Sequence, residues 1–186
     1  MILPIYIYGN PVLRKVSTDV DPADESVKQL IVDMFETLDH AGGVGLAAPQ
    51  IGKSIRVVVI DLDVLKEDYP EYAGFRRAFV NAHIVETDSK DKEAMDEGCL
   101  SIPGLYESVT RPKRIRVQYV DENGQQHDEW VEGYLARVMQ HEFDHLDGIM
   151  YVDKVSPLRK QLIKNKLRAI MQGRFRCAYR VKTNHK

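Results

Sequence analysis

Residues 134–148 read YLARVMQHEFDHLDG. Tyr134, Val138, His141 and His145 recur at i, i+4, i+7 and i+11, which is one stripe of an α-helix. The pattern predicts a helix from about Tyr134 to Asp147, with Gly148 as the residue just past its end. Within it, His141-Glu142-Phe143-Asp144-His145 is an H-E-x-x-H sequence. Side chains four apart share a helix face, so both imidazoles can point at one metal ion. Glu142 sits about 100° further round. A carboxylate there reaches a water activated by the ion rather than the ion itself, as a general base requires. By chance, a chain of this composition carries the motif roughly once in a hundred times. The competing reading is two unrelated histidines.

A catalytic metal site needs a third protein ligand. The downstream sequence offers little. Tyr151 occupies the position where some proteases have a third His, and no Glu follows Glu142. Asp144 points off the ligand face, Asp147 and Asp153 follow too closely to fold back, and His185 lies near the chain end. Upstream, Cys99 stands in Glu97-Gly98-Cys99-Leu100-Ser101. A thiolate is a strong ligand, and an adjacent Gly lets the backbone come close. The alternative for Cys99 is a buried structural thiol. Cys177, beside Arg176, reads as structural.

The loop from Gly42 to Gly52 contains GVGLAAPQ at residues 43–50. It follows a helix and precedes a strand, the reverse of a dinucleotide-binding turn. A loop of Gly and Ala lets a substrate backbone approach. Gln50 then either offers its amide to a carbonyl oxygen that becomes negative in the transition state, or is a plain loop residue.

Outside these segments, Val27, Leu30, Ile31, Met34 and Leu38 predict an amphipathic helix over Ser26–Asp39, capped by Asp24 or Ser26 and ended by Gly42. Ile55–Leu62 and Phe79–Thr87 read as strands, with an irregular insert at Lys66–Arg77. Asn123-Gly124 between Arg114–Val120 and Gln126–Val131 signals a hairpin with both central residues at positive φ. Ser156-Pro157 opens a third helix that directs Leu158, Leu162 and Ile170 inward and ends near Gly173. Phe175–Val181 reads as a last strand. Helices and strands do not alternate regularly. The expected fold is therefore α+β, with antiparallel sheets packed around a central metal-binding helix flanked by an N-terminal and a C-terminal helix.

The 186 residues fit one domain spanning the chain. Apolar residues at 44% and charged residues at 29% exclude global disorder. No apolar run is long enough for a membrane helix, and the short apolar N-terminus, broken by Pro4, does not read as a signal peptide. Two cysteines cannot make a disulfide framework, so a reducing cytoplasm is the default. Charge is uneven. From Ser156 to Lys186 there are ten Lys and Arg and no acid, which leaves 16 basic residues against 28 acidic ones elsewhere. The basic end is either an RNA-facing surface or a solvated helix face.

Three segments coincide in order: GVGLAAPQ at 43–50, EGCLS at 97–101 and QHEFDH at 140–145. Together the chain resembles the peptide deformylases, from Ile2 to the helix after Ser156. The resemblance implies a metal-dependent amide hydrolase that removes the formyl group from N-formylmethionyl peptides and nascent chains and releases formate. It implies Cys99, His141 and His145 as ligands of Fe2+, which Zn2+, Ni2+ or Co2+ can replace. The ligand types alone point to zinc. It further implies Glu142 as general base and acid, Gln50 and the Leu100 N–H as the oxyanion hole, and Gly45 as a hydrogen-bond partner of the substrate backbone. Val44, Tyr134 and Val138 are then the expected methionine pocket, unless the last two are simply core. Tyr106 stands where the best-known bacterial pattern often has Arg, and the insert Lys66–Arg77 is longer than in the simplest members. Arg111 matches an arginine that pairs with the carboxylate matching Glu97. In this setting the basic C-terminal helix is expected to contact ribosomal RNA. The rival readings are an H-E-x-x-H metalloendopeptidase, a cysteine hydrolase using Cys99 as nucleophile, and an RNA-binding module without catalysis.

Overall fold

The computed structural model describes residues 1–184, so His185 and Lys186 of the basic tail lie outside the described residues. In chain order the regular elements are β1 (Ile5–Tyr6), α1 (Glu25–Ala41), β2 (Gly45–Ala47), β3 (Val57–Asp61), β4 (Arg76–Thr87), β5 (Lys92–Cys99), β6 (Ile102–Pro112), β7 (Arg114–Val120), β8 (Gln126–Glu132), α2 (Gly133–Leu146), α3 (Pro157–Met171) and β9 (Val181–Lys182). Strands β2, β3, β4, β7 and β8 form one sheet in that order, β5 and β6 a separate hairpin, and β1 and β9 a third pair. Among the described residues, the strands of these sheets pair antiparallel except β1 with β9, and an isolated parallel bridge joins Thr18 to Ile55. The α+β expectation holds.

At β2 and β3 the large sheet is covered on both faces. The five residues of β3, Val-Val-Val-Ile-Asp, are all buried. Side chains alternate across a strand. Val57 and Val59 accordingly join Val27, Ile31, Met34 and Leu38 of α1. Val58 and Ile60 join Ala136, Val138, Met139, Phe143 and Leu146 of α2. Each fully buried aliphatic side chain of this kind contributes about 1.5–3 kcal/mol. A third cluster lies under the β5–β6 hairpin, where Ile102, Leu105 and Val109 meet Tyr151, Ile163 and Ile170.

The helix ends follow from local chemistry. Asp24, not Ser26, caps α1, accepting from the Ser26 N–H, and Gly42 at φ 75° ends the helix. At the start of α2 no side chain caps from the preceding residue. Instead the Tyr72 hydroxyl, from the insert, accepts the Leu135 N–H at 3.1 Å. Gly148, at φ 71°, turns the chain away from α2, and a Cβ there would lie 2.5 Å from the Arg14 carbonyl oxygen. Only Gly fits both conditions.

Three expectations need correction. The Asn123-Gly124 hairpin exists, but only Gly124 has positive φ. Asp121 N–H bonds the Gln125 carbonyl, and the Asp121 side chain accepts from Asn123 and Gln125. The loop is thus three residues with Gly at its left-handed position. In α3, Ile170 is buried as expected, but Leu158 and Leu162 are 70% and 61% exposed. The inward face is Ile163, Leu167 and Ile170. Arg159 reaches Glu107 and Lys166 reaches the Gly104 carbonyl, and these two contacts set the roll of the helix. Finally, the tail is strand only at Val181–Lys182. Residues 174–180 run irregularly until β1 supplies a pairing edge, where Ile5 N–H bonds the Arg180 carbonyl and Ile7 N–H bonds the Lys182 carbonyl.

Candidate active site

Helix α2 and the β5–β6 turn meet beside the β2 edge of the sheet. Among the described residues, the ligand atoms of Cys99, His141 and His145 lie within 4.8 Å of one another. Cys99 Sγ is 3.4 Å from His145 Nε2. Ligands at about 2.1–2.3 Å from a tetrahedral ion sit about 3.5 Å apart, so the donors fit a single cation. One thiolate and two imidazoles leave a fourth position open, as a catalytic rather than a structural site requires. The donor chemistry and spacing thus suit the metal that the sequence leads one to expect.

Glu97 orders this cluster. His141 Nδ1 donates to Glu97 Oε1 at 2.8 Å, which fixes the tautomer and leaves Nε2 for the ion. Arg111 grips the same carboxylate with Nε and Nη2 at 2.6 and 2.9 Å, and its Nη1 reaches Asp144 at 2.7 Å. Arg137 adds a further bond to Glu97 at 2.8 Å and holds the Val109 and Glu93 carbonyls. Burial opposes ionisation of Glu97, but the bonds from His141 and Arg111 hold its carboxyl well below the usual range. The Arg111–Glu97 pair was expected, whereas Arg137 was not foreseen. Its signal was available, because a cation four residues before His141 shares the ligand's helix face. Asp144, occupied by Arg111, is not a ligand candidate.

Glu142 is buried and lies against β2. Its Oε2 has no hydrogen-bond partner among the described residues. Burial, only partly offset by His141, pushes its pKa up to about 7. A group balanced there can both take and give a proton near neutrality. A Cβ at residue 45 would stand 2.6 Å from Glu142 Oε1, so Gly45 is what lets the strand run over the carboxylate.

Gln50 points its amide into the site. Its Oε1 accepts from the Ala47 N–H at 2.8 Å, so Nε2 faces Cys99 Sγ at 3.4 Å and Ser101 Oγ at 3.2 Å. The Leu100 carbonyl is held from outside by the Tyr179 hydroxyl at 2.7 Å. Strand β2 is the edge of its sheet. The Val44 carbonyl accepts from the Asp61 N–H of β3. Backbone groups alternate sides along an antiparallel strand, so those of Gly45 face the open edge.

Two cavities adjoin the cluster. A cleft of about 430 Å³ is lined by Gly43, Gly45, Gln50, Cys99, Leu100 and Glu142, with Tyr106 at its rim. A smaller pocket of about 90 Å³ is lined by Val44, Tyr134, Val138, His141 and Glu142. The residues expected to form an apolar pocket are therefore together. The insert backs it, since Tyr69 stacks on Tyr134 with ring centroids 5.5 Å apart. Cys177, read from sequence as structural, instead lines the cleft with Arg176 and Tyr179. The tail folds back over the site, which no periodicity announced.

Fold and site together define a hydrolase centre whose Cys99, His141 and His145 could hold one metal ion beside the buried carboxylate of Glu142. Comparison with known proteins sharpens this. Residues 2–161 match the polypeptide deformylase family model. The chain is 43% identical to the peptide deformylase of Flavobacterium johnsoniae, over 98% of this chain and 96% of that one. It is 42% identical to that of Cytophaga hutchinsonii, over 98% and 97%. The crystal structure of a peptide deformylase from Legionella pneumophila superposes with a TM-score of 0.79 at 38% identity, covering 95% of this chain and 100% of that one. The chain belongs to the peptide deformylase family, metal-dependent hydrolases of protein biosynthesis that remove the N-formyl group from nascent proteins. The metalloendopeptidase reading finds no support. No helix among the described residues is long and apolar enough to cross a membrane.

Removing the Glu97 carboxylate leaves Arg111, Arg137 and His141 without their shared acceptor. Glu97→Ala is expected to cost about 3–5 kcal/mol of stability, as breaking a buried ion cluster does, read by urea unfolding. Metal affinity should fall about 10- to 100-fold in a competition titration with a chelator.

Proposed function

We propose that this enzyme deformylates formyl-methionyl chains with Cys99, His141 and His145 holding one Fe2+, for which Zn2+, Ni2+ or Co2+ can substitute. A mixed thiolate and imidazole set suits all four ions. The observation that carries the reading is the meeting of these three donors beside the buried carboxylate of Glu142, whose Oε2 has no hydrogen-bond partner among the described residues. When bound, the ion polarises the formyl group and makes water acidic enough to react near neutral pH.

The chain's own groups do the rest. The substrate lies as an added strand on the β2 edge, with the N–H and C=O of Gly45 as partners. Its methionine side chain enters the pocket of Val44, Tyr134 and Val138. Glu142 takes a proton from the attacking water and later delivers it to the leaving amine, so the same carboxylate serves as base and then acid. Gln50 Nε2 and the Leu100 N–H donate to the formyl oxygen as it becomes negative. Gln50 needs no reorganisation to do so, because Ala47 already fixes its amide. We assign the enzyme to the cytoplasm, where formylated chains are made. We also assign the basic surface of α3 a contact with ribosomal RNA. Lys160, Lys164 and Arg168 are exposed or half-exposed there.

Anaerobic metal analysis paired with formate release tests the core of this. About one ion per chain is expected, with formate freed from formyl-Met-Ala-Ser and no cleavage of the unformylated peptide. Gln50→Ala should keep its fold and metal but lose about 10²–10³-fold in kcat. Near-normal turnover would remove Gln50 from the chemistry. Glu142→Ala should retain its ion and lose about 10²–10⁴-fold in rate. A parallel loss of metal would make Glu142 a ligand instead. Cosedimentation with ribosomes should weaken steeply as salt rises, and an interaction indifferent to salt would contradict the RNA contact.

A further inference from the structure

The cleft has a wall that comes from beyond the family match, which ends at residue 161. Arg176, Cys177 and Tyr179 form it. This wall is anchored at its C-terminal end. Tyr179 bonds the Leu100 carbonyl at 2.7 Å. Just beyond, β9 pairs with β1, and Asn10 Nδ2 donates to the Lys182 carbonyl at 2.8 Å.

Its position relative to the substrate follows from Gly43 and Leu100. Gly45 lies over Glu142, so the reacting end of the substrate belongs there. Gly43, two residues further along the β2 approach, would place a Cβ 2.9 Å from Leu100 Cδ1. Leu100 thus flanks the run leading away from the chemistry, and Tyr179 brings the tail to Leu100. Among the described residues, the cleft lining holds no other Lys or Arg, and its one carboxylate, Glu142, is buried. Arg176 is exposed and makes no ion pair among the described residues.

We propose that Arg176 is a specificity-determining residue that favours nascent chains with an acidic side chain at the second or third residue. The inference rests on the deformylase reading above and goes beyond it by assigning sequence preference past the methionine. An exposed guanidinium attracts a carboxylate and repels an ammonium modestly, so the discrimination is kinetic tuning rather than exclusion.

The test compares kcat/KM for formyl-Met-Asp-Ala and formyl-Met-Ala-Asp with their Lys counterparts. The wild-type enzyme should prefer the acidic member of one or both pairs by about fivefold, as an exposed charge pair allows. The ratio should fall toward unity between about 0.05 M and about 0.5 M salt. Arg176→Gln should erase the preference and Arg176→Glu should invert it. Arg180→Glu, on the same segment but outside the cleft lining, should leave the ratio in place. Equal ratios in wild type and Arg176→Glu overturn the proposal. So does an Arg180→Glu effect as large as that of Arg176→Glu, which would make the preference one of overall tail charge. Absence of formate release from every formyl peptide would instead overturn the functional reading on which it stands.

Discussion

Glu97 is the point where the two halves of the site are tied together. Its carboxylate belongs to β5, yet three of its partners come from elsewhere: Arg111 on β6, and Arg137 and His141 on α2. Cys99 lies two residues beyond Glu97, and His145 one turn beyond His141. A single buried anion therefore sets the distance between the sulfur and both imidazoles. Such an ion cluster contributes little net stability against a hydrophobic alternative. What it supplies is geometry, because the carboxylate accepts along defined directions and cannot slide as an apolar contact can.

The scaffold around this anion is ordinary packing put to a particular end. Strands β2 and β3 are buried on both faces, and α2 packs against one of them. Gly45 lets the edge of that sheet pass over Glu142, and Gln50 is oriented by the backbone of its own turn. A carboxylate whose proton affinity is raised by burial, an amide held in one orientation, and the edge strand of the sheet thus converge.

How much of this is legible in the sequence depends on where the charges are. Helices α1 and α2 were readable because their buried faces are apolar and regularly spaced. The meeting of Cys99 with His141 and His145 was readable because H-E-x-x-H has few other uses and the downstream sequence offers little as a third donor. The β5–β6 hairpin was not. Two of the inward positions on β6 are Glu107 and Arg111, both buried, so the alternation looks polar although the geometry is regular. Half the residues of β5 are exposed, and the strand carries little apolar signal. Arg137 stands on the His141 face and could have been read from it, but its partner Glu97 is 40 residues away in sequence. In α3, the Leu158–Leu162 pair mimicked an inward face, and only Arg159 and Lys166 reaching to β6 reveal the true one. The path of the tail was illegible because it is dictated by an edge of β1, which sequence periodicity cannot see.

That β1–β9 clasp has a bearing on how the protein comes into being. Asn10 and Lys182 touch across 172 positions of chain, among the most distant pairings the molecule makes. Loops this long close late, since the entropy of bringing their ends together must be met first. During synthesis the donors for the metal emerge well ahead of the segment that clasps β1. The Cys99, His141 and His145 cluster can take shape while one flank of the groove is still missing, and the clasp then completes its outline.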